Sequence, residues 1–194
     1  LPDLHLILQE DPRVQDAIIA LGDPDEEIHW AVRGKQIGCD GKKHKVYLGL
    51  SHLALYIFDR DETWAMLTGK WGGKLHCRTR LRTSELTAMS EALGGRMLSL
   101  TCQDQRNNTV ILLSKRDPTW ESSSAVLIEE ISRMYEDEAG QEMTVEQVEE
   151  AAARAVLSTG WRVERDRLND VARRVKAQKR RRLGEVASGP GSHN

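Results

Sequence analysis

The chain is poor in cysteine. Cys39, Cys77 and Cys102 stand far apart in 194 residues, and no Cys-x-x-Cys pair exists. An odd count without paired spacing fits a reducing compartment better than a disulfide framework. The first residues carry no basic–apolar–small leader pattern, and no apolar run approaches the roughly 18 residues of a membrane helix. The longest apolar runs, such as Leu53–Phe58, are strand-sized. Spacings that mark catalysis are missing too. The histidines form no His-x-x-x-His or His-Glu-x-x-His pair, and Gly69-Lys70-Trp71-Gly72-Gly73-Lys74 lacks the spacing of a phosphate loop. His76 and Cys77 are adjacent, and on a strand they would point to opposite faces, a poor geometry for a nucleophile and its base. Asp23-Asp25-Glu26-Glu27 and Asp59-Asp61-Glu62 sit in expected loops without the ligand spacing of a cation site. The expectation is a protein that is not an enzyme and holds no metal or cofactor. The chain begins with Leu, which fits a fragment or a processed product, and the last six residues, GPGSHN, read as a disordered tail.

What is present is a strand pattern between helices. Apolar residues make up 39% and charged residues 30%, which suggests one core with charged helical segments attached. Leu4, Leu6 and Leu8 alternate, as in a short strand or apolar arm. Asp11-Pro12 opens a helix over 12–21, with Asp as N-cap and Pro at the first helical position, and Gly22 stops it. From 27 to 114 the period is two, which predicts strands at 27–33, 45–50, 52–58, 64–68, 74–78, 84–89, 96–102 and 109–114. Gly-rich and charged breaks separate them, with a two-residue turn between the second strand and the third and an Asn107-Asn108 hairpin turn. Several short strands at this spacing suggest a small antiparallel barrel or sandwich. Leu127, Ile128, Ile131, Met134 and Tyr135 then form the apolar face of a helix from about 122 to 136. Thr144 and Gln147 read as the capping box of a further helix, which Gly160 breaks.

Charge sorts the C-terminal part. Residues 121–150 hold ten acids and one base, Arg133, whereas 161–183 hold ten bases and three acids. The expected organisation is an N-terminal arm and helix (1–26), a strand-rich domain closed by a helix (27–137), a charged helical arm (141–183) and a disordered tail (184–194).

One stretch joins pattern to family. A basic run, Lys42-Lys43-His44-Lys45, leads into Val46-Tyr47-Leu48. A turn follows, then Leu53-Ala54-Leu55-Tyr56-Ile57-Phe58 and the charged loop Asp59-Arg60-Asp61. With the closing helix, this resembles the pleckstrin-homology-like superfamily over residues 27–136. The resemblance implies a mostly β fold: a small antiparallel barrel or sandwich capped by a C-terminal helix, here with an added N-terminal helix and a C-terminal helical arm. It implies a non-enzymatic interaction module of a scaffold or adaptor. Such a module would dock a protein at the membrane–cytoskeleton interface in the cytoplasm, with contact to phosphoinositide or other anionic lipid as an option.

The candidate anion-binding residues are Arg33, Lys35, Lys42, Lys43 and Lys45, because an inositol phosphate needs several cations converging on an open loop. The plainer alternative is a solvated loop that blunts a sheet edge. A protein contact is a third reading. Candidate partner-binding residues are Trp71, on a glycine-rich loop, and the basic run Arg173, Arg174, Lys176, Lys179, Arg180, Arg181 and Arg182. That run would suit anionic lipid, a nuclear import receptor or nucleic acid. It lacks the interleaved aromatics that stack bases. Nucleic-acid binding or a nuclear role through this arm is the alternative function.

Overall fold

A computed structural model describes residues 4–23, 25–59, 77–113 and 120–160. The expected strand at 64–68, Trp71 and the basic run from Arg173 to Arg182 lie outside the described residues.

Two N-terminal helices come first, α1 (Leu4–Glu10) and α2 (Pro12–Leu21). Asp11 caps α2 by accepting the Arg13 amide at 2.9 Å, and the Gly22 amide closes its other end on Ile18. The segment Leu4–Leu8, expected as a short strand or apolar arm, is helix. Leu4 and Leu8 are one turn apart and face the protein, while Leu6 is left exposed. Seven antiparallel strands follow: β1 (Trp30–Ile37), β2 (Lys43–Leu50), β3 (Ala54–Asp59), β4 (Cys77–Arg82), β5 (Leu86–Ala92), β6 (Met97–Cys102) and β7 (Thr109–Leu113). Helix α3 (Trp120–Ala139), the parallel strand β8 (Val145–Gln147) and helix α4 (Glu150–Thr159) complete the described chain.

Among the described residues the strands form one sheet in the order β4-β3-β2-β1-β7-β6-β5-β8. Alternate residues of every strand from β1 to β7 meet in one core, from Val32, Leu48 and Ile57 on one side to Met89, Leu100 and Ile111 on the other. A flat sheet could not bring both ends to one cluster, so the sheet curls around it. Leu127, Ile131 and Met134 of α3 fill the opening, as the apolar stripe predicts. A curled antiparallel sheet with a closing helix is what the family resemblance implies.

The outer face of the sheet is covered as well. Helices α1 and α2 press Leu8, Val14 and Ile18 onto Tyr47, Ala54, Tyr56 and Phe58. Helix α4 presses Ala153, with Val156 and Leu157 beside it, onto Ile37, Ala92, Met97, Val110 and Leu112. Strands buried on both faces lose polar alternation, which is why β3 and β7 read as unbroken apolar runs.

Several boundaries differ from expectation for physical reasons. Strand β1 begins at Trp30 rather than at 27, after a turn in which the Glu26 amide bonds the Asp23 carbonyl at 3.0 Å. It runs through Gly34, expected as a break, which pairs with Val46 and Leu113. The β2–β3 turn takes three residues, Ser51 to Leu53, because Ser51 Oγ accepts the Leu53 and Ala54 amides at 3.2 and 3.0 Å. The Asn107-Asn108 hairpin is a longer loop with a 3₁₀ turn at Gln105–Asn107. Asn108 keeps negative φ and accepts the Cys102 amide through its side chain at 2.8 Å. The capping box at Thr144 is absent, since 145–147 form β8 on the edge of β5 and the helix starts at Glu150. That edge offered a row of unpaired backbone groups, and pairing outweighed helix propensity.

Candidate functional site

The anion candidates sit on the β1–β2 hairpin, and its register decides which face they share. Arg33 lies opposite Tyr47, Lys35 opposite Lys45, and Ile37 opposite Lys43. Residues directly opposite on antiparallel strands project to the same face. Tyr47 and Ile37 belong to the outer-face clusters. Arg33, Lys35, Lys43 and Lys45 therefore all lie on the outer face. They occupy the strip between the apolar patch under α1–α2 and the patch under α4. On the other side of β1, Lys35 neighbours Leu112 of β7, which α4 covers.

This placement refines the expected loop site. Lys35 and Lys45 are inside strands, and Lys43 is the first residue of β2. Lys42 is in the loop, where Asp40 holds it with an ion pair at 3.2 Å and also accepts its amide at 3.1 Å. Those contacts pull the Asp40 carboxyl below its usual range. Among the described residues no carboxylate pairs with Arg33, Lys35 or Lys43. Arg33, Lys43 and Lys45 are exposed, and Lys35 is half-buried. Two lysines directly opposite each other repel, so the strip is a concentration of positive charge that a bound anion would relieve.

The loop itself is short and tied down. The Gly38 amide bonds the Lys42 carbonyl at 2.7 Å, and the Gly41 amide bonds the Gly38 carbonyl at 2.9 Å. Its tip abuts the carboxyl end of α4, where Gly41 packs against the backbone of Ser158, Thr159 and Gly160. Residues 145–160, expected as part of a charged arm, thus reach the sheet at β8 and the hairpin at Gly160.

A second polar constellation was not foreseen. Glu26, expected as one of several loop acids, has a fully buried side chain. Its carboxylate accepts four donors: Ser51 Oγ and the Tyr56 hydroxyl, both at 2.6 Å, and the Asp23 amide and Arg80 Nη2, both at 2.9 Å. Arg80 Nε also donates to the Tyr56 oxygen at 2.9 Å, and its guanidinium lies 5.6 Å from the centre of the Tyr56 ring. Burial pushes the Glu26 carboxyl up, but the bonds from Ser51, Tyr56, Asp23 and Arg80 outweigh it and hold the pKa below its ordinary value. Burial, and then the hydrogen bond to Glu26, pushes the Tyr56 phenol up. The group is saturated with partners, which is the arrangement of a structural bolt. Nothing in the residue spacing around Glu26 marks it, because Ser51 and Tyr56 lie 25 and 30 residues on and Arg80 lies 54 residues on.

Neither Cys77 nor Cys102 is a ready nucleophile. Burial pushes the Cys102 thiol up to about 11, and Cys77 likewise to about 11, so both stay protonated near neutral pH. Cys102 is buried in the main core. Among the described residues no cluster of three or more His, Cys, Asp or Glu could hold a metal ion, and no helix is long and apolar enough to cross a membrane.

No family model matches the chain, and no curated protein sequence matches it. Solved structures do show likenesses. The hSac2 domain of the human phosphoinositide phosphatase Sac2 is 15% identical with a TM-score of 0.49, over 70% of this chain and 85% of that one. The PH domain of Slm1, solved with inositol-4-phosphate, is 14% identical with a TM-score of 0.39, over 56% of this chain and 95% of that one. The DH/PH domains of p115-RhoGEF are 16% identical with a TM-score of 0.42, over 68% of this chain and 36% of that one. The antiparallel sheet curled around one core and closed by α3 is the architecture that the pleckstrin-homology-like resemblance implies.

Proposed function

We propose that the chain is a non-enzymatic interaction module of a larger cytoplasmic scaffold or adaptor. It would dock a protein partner and contact a phosphoinositide or another anionic membrane component through the outer face of its β1–β2 hairpin. One observation carries the anion contact: Arg33, Lys35, Lys43 and Lys45 share one sheet face, with Lys35 directly opposite Lys45. Phosphate groups accept several charge-assisted hydrogen bonds at once, so a set of cations that share one face of a rigid hairpin suits them. The protein-docking half rests on Leu6, Ile19 and Leu21 of the N-terminal helices, the exposed large apolar side chains among the described residues. The setting this implies is membrane-peripheral or cytoskeletal.

The test is co-sedimentation of the full chain with neutral vesicles and with vesicles containing a phosphoinositide, at physiological salt. Wild type is expected in the pellet only with the anionic lipid. A variant combining Lys35→Glu, Lys43→Glu and Lys45→Glu is expected in the supernatant with both. Wild type left in the supernatant, or a charge-reversed variant that still pellets, overturns the anion contact.

A further inference from the structure

We infer that the contact between Gly41 and Gly160 is a positioning element of the anion site: the carboxyl end of α4 holds the hairpin loop so that its cations face a ligand as one set. This rests on the anion reading above.

The contact is one of backbone on backbone. Gly160 has φ of 72° and ψ of −169°, a region open essentially only to glycine. A Cβ there would run into the Gly41 nitrogen and the Cys39 carbonyl, with the Cys39 carbonyl carbon 2.6 Å away. Gly41 has φ of 79°, and its Cβ would meet the Ser158 oxygen at 2.9 Å and the Gly160 nitrogen at 3.0 Å. None of these neighbours is a side chain that can swing aside. Two glycines facing each other at such range allow a close approach that any other residue would prevent.

The helix is in turn held at its other end. Strand β8 pairs with β5, the Val148 amide bonds the Glu91 carbonyl at 2.9 Å, and Ala153 is fully buried against the sheet. The clamp therefore links the loop to the body of the sheet through α4. The loop needs such a link, because Lys35 and Lys45 repel each other directly and, among the described residues, β2 pairs with β1 alone from Lys43 to Lys45. The carboxyl end of a helix carries partial negative charge, so its approach also suits a basic loop. Without it, the hairpin end frays and the cations spread apart.

The experiment uses the full chain carrying Gly160→Ala, with Gly41→Ala as a milder second variant and Ser158→Ala as a control. The control changes a side chain whose hydroxyl bonds only within its own helix, to the Ala155 carbonyl. Two quantities are read: amide exchange of residues 38–43, and affinity for a soluble inositol polyphosphate and for phosphoinositide vesicles. Both glycine variants are expected to exchange faster over 38–43 while β3 and β6 keep their protection. Affinity should fall by about tenfold, and the control should match wild type. A loss in both ligand formats places the ligand at the phosphates, and a loss with vesicles alone places it at the membrane surface. A purely structural contact would raise exchange with affinity unchanged, and that result overturns the inference while leaving the anion reading intact. If wild type binds neither ligand, the anion reading fails and this inference fails with it.

Discussion

The two helical covers on the outer face are built from opposite chemistry. Helices α1 and α2 bring large side chains, Leu8, Val14 and Ile18, onto an aromatic floor in which Tyr56 and Phe58 stack 6.0 Å apart. They are fastened by the buried Glu26–Arg80–Tyr56–Ser51 network. Helix α4 buries Ala153 alone completely and closes on the hairpin through glycine. The first cover has bulk and a polar bolt, and its contribution is stability. The second has little to bury, and its contribution is placement. Substitutions should therefore split the two covers: those under α1–α2 should shift unfolding, and those under α4 should shift binding.

The largest effect is expected at the bolt. Glu26→Ala leaves Arg80, whose side chain is 14% exposed, without its main carboxylate. Breaking one partner of a buried pair costs about 3–5 kcal/mol, read as a lower midpoint in urea unfolding. Asp23 lies 3.9 Å from Arg80 and offsets part of the loss. Replacing both partners by apolar residues, as in Glu26→Leu with Arg80→Met, should recover most of it, since such swaps are often neutral. Equal destabilisation by the single and double variants would show that packing, rather than the ion pair, fastens this cover.

Acid should act on the same cover with a smaller effect. The Glu26 carboxyl is held below its unfolded value of 4.5. A depressed folded pKa contributes stability that is fully present above the unfolded value and lost as pH falls through the folded one. Asp11, which caps α2, is likewise lowered, chiefly by its hydrogen bond from Arg13. Urea midpoints measured from pH 7 to pH 3 should fall for wild type. Glu26→Gln should begin lower and fall less. Parallel curves for the two proteins would remove Glu26 from the acid response.

How much of this was legible depends on how local each feature is. Helix α2 was readable because its cap, its first-turn proline and its glycine stop are neighbours in sequence. The β2–β3 segment was readable because two apolar runs flank one turn. Leu4, Leu6 and Leu8 misled because three residues cannot separate a period of 2 from one of 3.6 when Leu4 and Leu8 satisfy both. Thr144 and Gln147 satisfied a local helix signal, but β5 had an open edge that only the fold reveals. The lysines were found by type, and their common face required the register, which one residue of slip would have reversed. Glu26 was hidden among acids that look alike in sequence, because its distinction lies in Ser51, Tyr56 and Arg80, 25, 30 and 54 residues away.

The smallest change in stability should come from Lys35→Glu, and its sign should oppose its effect on binding. Lys35 faces Lys45 across the hairpin, a like-charge pair that destabilises the strands. Glutamate at 35 would turn repulsion into attraction, worth about 0.2–1 kcal/mol in favour of the fold. The same change removes one cation from the outer strip and sets a carboxylate among the others, so anion binding should fall sharply. Lys42→Glu should weaken binding far less, because Lys42 is already engaged by Asp40 and stands in the loop rather than on the strip. A thermal melt and a vesicle titration on the two variants measure both quantities. Residues selected for the fold lose stability when they are changed, whereas residues kept for a ligand tend to be held at some expense to the fold. A Lys35→Glu protein that melts no lower than wild type yet releases anionic vesicles would put Lys35 in the second class. One that melts lower and still binds would mark Lys35 as part of the scaffold, and the strip would then be a solvated sheet face between two covers.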